Sequence, residues 1–208
     1  MTVAPGLASP VATPPRGRFV DPGAIVAGWV GIGMAVTIGI SFLMVIPIEP
    51  VYWLLTPFAG LLIGYYANQR AMTPRGAWRR ILVDALYAGV VTGLTLALLL
   101  LAVKAIFFYV DTGYPDFNRV DPDTKQAIAP FCTTGADCVR ARYIAAGRGT
   151  ALEEAGATDD ASFSSLYWQQ QLSTAGLLFV VTIGAAAVGG AVYGVTRPRP
   201  VEEPAETT

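Results

Sequence analysis

The residues with chemistry to offer are few, and most lie in one stretch. Cys132 and Cys138 are the only cysteines, six positions apart with Gly135 between them. On an oxidising face such a pair forms a disulfide, and without histidine it makes a poor zinc site, because zinc needs four ligands. Asp111, Asp116, Asp121 and Asp123 gather carboxylates of the kind hard cations take. The Asp-x-Asp-x-Asp-Gly spacing of a calcium loop is missing, so the expectation there is a solvated acidic loop. Histidine is absent from the whole chain, which removes His general bases, His–carboxylate triads and the commonest haem and zinc ligands. No catalytic residue, cofactor site or metal site is expected.

These residues sit among long apolar blocks. Charged residues make up 14% of the chain and hydrophobic ones 53%, against about a quarter charged in an ordinary soluble domain. With a mean hydropathy of +0.50, the composition is that of an all-α integral membrane protein. Four spans are expected, over 24–46, 51–67, 81–110 and 172–195, packed as a bundle. Asp21 and Pro22 have the residue types of a helix cap and first helical position. The first span is too long for a signal peptide, and no small-residue cleavage site follows it. Pro57 should kink the second span. Residues 1–19 and 196–208 read as disordered tails, 68–80 as a basic loop, and 111–171 as a partly helical loop between the third and fourth spans. Within that loop, 137–146 has helical composition, and Asp159 or Asp160 is placed to cap a helix leading into the fourth span.

Arginine placement sets the orientation. Arg16, Arg18, Arg70, Arg75, Arg79, Arg80, Arg197 and Arg199 fall on one side of the spans, and only Arg119 lies near a span end on the other. The positive-inside rule then puts both termini in the cytoplasm and the 111–171 loop outside, in a cell membrane. The preference for Arg over Lys, with abundant Ala, Gly and Pro, points to a GC-rich bacterial source. Tyr and Trp residues cluster at both ends of the spans, at the two interfacial depths.

Small residues recur at every fourth position: Ala27, Gly31, Ala35 and Gly39; Gly60 and Gly64; Ala85, Gly89, Gly93 and Ala97; Ala186, Gly190 and Gly194. Each set falls on one helix face and lets two backbones approach, within the bundle or between subunits. Lys104 lies near the outer end of the third span, close enough for its head to reach the interface. Asp84 lies near the inner start of that span, beside Arg79 and Arg80.

A short first outer loop and a long second one bearing cysteines resemble the topology of tetraspanins. The Cys-Cys-Gly motif of that family is absent, so the resemblance carries no function. The functional expectation is a non-enzymatic scaffold or accessory subunit of a membrane complex, with a subunit of an oligomeric channel or transporter as the alternative. The expected partners are the bilayer, other membrane proteins or further copies of the chain, and no nucleic acid.

Overall fold

The computed structural model describes residues 19–41, 49–110, 124 and 134–196. Six α-helices follow in order: α1 (Pro22–Ser41), α2 (Glu49–Ala71), α3 (Trp78–Tyr109), α4 (Ala136–Tyr143), α5 (Gly149–Glu154) and α6 (Asp160–Thr196). Among the described residues there is no strand. α1, α3 and α6 are long and apolar enough to cross a membrane.

The four long helices form an up-down-up-down bundle. Gly23 at the start of α1 lies against Arg70 and Ala71 at the end of α2, and Gly194 near the end of α6 lies against Trp78 at the start of α3. The start of α1, the end of α2, the start of α3 and the end of α6 therefore share one end, called here the arginine end. α2 and α3 touch across the middle, with α1 on one side of that pair and α6 on the other.

Small residues are prominent on the inward faces, beside a few large aliphatic ones. The buried side of α1 is Ala24, Ala27, Ala35 and Ile38, while Trp29, Val36 and Ile40 point outward. α3 puts Ala85, Ala88 and Ala97 inside together with Ile81, Leu96 and Leu100, and Leu86, Leu94 and Leu98 outside. Hydrocarbon surroundings give apolar side chains no reason to turn inward, so close contact between small residues holds such helices together.

Helix boundaries differ from the sequence expectation at several points. α2 runs on through Pro57 to Ala71, so most of the expected 68–80 loop is helix end and helix start. The helix expected to lead into the fourth span and that span itself are one element, α6, which runs from Asp160 to Thr196 without a break. Asp159 caps it: the Ser162 amide donates to Asp159 Oδ1 at 2.7 Å, and the Asp159 amide donates back to Ser162 Oγ at 3.1 Å. The Ser162 amide and hydroxyl, both donating to Oδ1, hold the Asp159 carboxyl below its ordinary range. The expected 137–146 helix is α4 followed by a wide turn over 144–148, broken at Gly147, whose φ is +78°.

Candidate functional site

Two places in the fold gather polar or aromatic groups, one at each end of the bundle.

At the arginine end, side chains or turns from all four long helices meet. Asp21 Oδ1 accepts from the Gly23 amide at 2.9 Å and closes the first turn of α1. The Asp21 amide donates to Asp84 Oδ1 on α3 at 3.2 Å, and Arg80 donates to Asp21 Oδ2 at 2.7 Å. Arg80 pairs directly with Asp21, and the buried Asp84 carboxylate takes the amide of Asp21, the residue that precedes α1. On α2, Asn68 Nδ2 donates to the Gly64 and Ile81 carbonyls, each at 3.0 Å, and so ties α2 to α3. The Tyr193 hydroxyl of α6 donates to the Thr73 carbonyl at 3.2 Å. The cluster fixes four helix ends relative to one another.

The turn from α2 to α3 belongs to the same end. Met72 has φ +50°, a left-handed conformation that costs a side-chain-bearing residue about 1–2 kcal/mol. The Met72 amide donates to the Gln69 carbonyl and the Thr73 amide to the Asn68 carbonyl, both at 3.3 Å. This is the helix-ending pattern in which glycine normally takes the left-handed position. Met72 is nevertheless 76% exposed, so its side chain recovers little of that cost inside the protein.

At the opposite end, α4, α5 and the first turns of α6 form a cap on α3. Phe108, Leu152, Ala157, Phe163 and Tyr167 are buried together. Phe108 stands 4.8 Å from the Tyr167 ring and 5.5 Å from Trp168, and Tyr109 stacks on Trp168 at 5.8 Å. The Gly135 amide donates to the Phe108 carbonyl at 3.2 Å, so the chain returns to the bundle where it left it. Arg140 donates to Asp160 at 2.8 Å and to the Thr158 carbonyl at 3.2 Å, joining α4 to the start of α6. Between α5 and α6 lies a cleft of about 160 Å³, lined by Tyr143, Leu152, Phe163, Leu166 and Tyr167, with Arg148 and Gln170 as its polar members. The Arg148 guanidinium sits 5.4 Å above the Tyr143 ring.

The small residues singled out in the sequence occupy buried positions. On α1, Gly31 meets Thr92, and Gly39 meets Leu99. Gly60 and Gly64 meet Thr182 and Ala186 of α6, Gly89 and Gly93 meet the same stretch, and Gly190 meets Ala85. Sequence reading missed Gly189, which lies against the Leu61 carbonyl and the Tyr65 amide. It falls one position off the four-residue series, on the adjoining face of α6.

Lys104 is half-buried near the end of α3. Arg70, Arg75, Arg79 and Arg80 are exposed around the arginine end, while Arg197 and Arg199 lie outside the described residues. Cys138 is buried at the start of α4, and Cys132 lies outside the described residues, as do Asp111, Asp116, Asp121 and Asp123. Among the described residues no three metal-ligating side chains come together. No protein family matches the chain, and no curated protein or solved structure is significantly similar to it.

Proposed function

We propose that this chain crosses a cell membrane four times and serves, without catalysis, as a scaffold or accessory subunit that presents its aromatic cap to another protein of a membrane complex. The observation that carries the reading is the cap itself. It is a packed aromatic unit fused to α3 and α6 through Phe108, Tyr167 and Trp168, and it bears an open cleft. The small-residue faces are meanwhile occupied by contacts within the chain, which leaves the cap and the outward faces for partners. In support of a fourth span, α2 is 23 residues long, about 34 Å at 1.5 Å per residue, and packs between α1, α3 and α6. The exposed arginines support a cytoplasmic arginine end with both termini on that side and the cap outside.

A channel or transporter subunit is the second reading. Buried Asp84, Asn68, Thr56, Thr92 and Thr182 favour it, since polar groups inside membrane helices often mark a pathway. The native mass after mild detergent extraction separates the two. Co-extraction of another protein in fixed ratio supports the scaffold; several identical chains alone support the pathway subunit; a single chain without partners overturns both.

A Cys132–Cys138 disulfide belongs to the same proposal, because an outside cap is in an oxidising space. A membrane-impermeant thiol label on unfolded but unreduced protein should leave both cysteines unmodified, and reductant should expose two. Labelling before reduction sinks the disulfide. On intact cells, a Cys138→Ala variant should then expose Cys132 to the label, and failure to label it overturns the outside cap.

A further inference from the structure

We propose that the α2–α3 turn is a seat for anionic phospholipid headgroups in the leaflet at the arginine end. Exposed guanidinium and apolar groups alternate through this turn: Arg70, Met72, Arg75, Trp78 and Arg79. Met72 is 76% and Trp78 44% exposed. The turn stands at the bundle end where the apolar stretches of α1 and α3 start and that of α6 stops, which in a bilayer is the depth of the headgroups. There the Met72 thioether reaches the upper acyl chains, the Trp78 ring, whose tip packs on Gly194, offers its exposed side to the interface, and guanidinium groups take phosphate oxygens two at a time. A negative leaflet surface adds attraction for each arginine.

Met72 is the second observation. The chain holds a bulky residue where glycine would end the helix without strain, and the protein itself barely touches that side chain. Contact with lipid is what the strained position provides. Arg80 is engaged with Asp21, so the seat rests on Arg70 and Arg79 with Met72 and Trp78. The proposal depends on the chain lying in a membrane, and it holds whichever leaflet the turn faces.

The test is thermal unfolding of the detergent-purified full chain, titrated with phosphatidylglycerol, phosphatidylcholine or inorganic phosphate. Phosphatidylglycerol should raise the midpoint at lower concentration than phosphatidylcholine, and inorganic phosphate should do nothing. The double variant R70Q/R79Q should need about 25-fold more phosphatidylglycerol, roughly fivefold for each arginine. Met72→Gly should raise the midpoint in detergent alone while weakening the response to phosphatidylglycerol several-fold. Equal responses to the two lipids, a matching response to phosphate, or unaltered selectivity in the double variant would each overturn the seat. So would a lower midpoint for Met72→Gly in detergent alone. Recovery of the wild-type chain in the soluble fraction without detergent instead overturns the membrane placement.

Discussion

Gly64→Ala should lower the unfolding midpoint of the detergent-solubilised protein sharply, with a cost of about 3 kcal/mol or more. A single added methyl group meets the carbonyl and Cα of Ala186, backbone atoms that cannot turn aside as a side chain would. α2 and α6 would have to separate, and separation forfeits the contacts of Gly60 with Thr182 and of Gly189 with Leu61 as well. Gly184→Ala is the control. That position, two residues before Ala186 on α6, has no atom within 4 Å of an added Cβ, so alanine should be neutral or stabilise by up to about 1 kcal/mol through helix propensity. Equal effects at the two positions would show that α2 and α6 are not packed as described.

The contrast between Gly64 and Gly184 also marks how far the sequence could be read. Four-residue spacing identifies a helix face, because that period nearly matches the 3.6-residue turn. It is therefore enough to place Ala85, Gly89, Gly93 and Ala97 together. It does not say which helix lies opposite, and so it could not rank Gly64 above Gly184 or find Gly189. Apolar blocks are visible as composition, but α2, with Glu49, Asn68 and Arg70 near its ends and Pro57 inside, falls outside the set of helices that length and apolarity alone mark as spans. What recommends it as a span is its place among the other three, which is a tertiary fact.

Local chemistry was legible where it needed only neighbours in sequence. Asp21 before Pro22, and Asp159 three residues before Ser162, are short-range caps, and each makes its hydrogen bond over two or three residues. The α2 terminus was opaque for the opposite reason. Nothing in Ala71-Met72-Thr73-Pro74 announces a left-handed methionine, since composition predicts glycine there. The cap was half legible: the composition of 137–146 suggested helix, while the meeting of Phe108 with Phe163 and Tyr167 joins positions more than fifty residues apart.

Asp84 has a partner that spacing does not show, the Asp21 amide, and it yields the second large effect. Arg79 and Arg80 are near in sequence, but the start of a helix directs Arg80 outward, where it reaches Asp21 at the surface. Asp84 faces the interior and takes the Asp21 amide. Asp84→Ala should therefore cost about 3 kcal/mol, because it strands a partly buried backbone donor and leaves a void where a fully buried side chain stood. Asp84→Asn keeps an acceptor oxygen of the same shape and removes a negative charge that faces Asp21, so its midpoint should stay within about 1 kcal/mol of wild type. Thermal unfolding of both variants in one detergent decides the matter. If Asp84→Asn proves as costly as Asp84→Ala, the charge itself is what the junction needs, and a backbone hydrogen bond from Asp21 is the wrong account of how the start of α1 is held to α3. If the alanine variant is as stable as wild type, Asp84 is not part of the structural junction at all. Its burial in a membrane helix would then weigh on the side of a pathway for ions or protons.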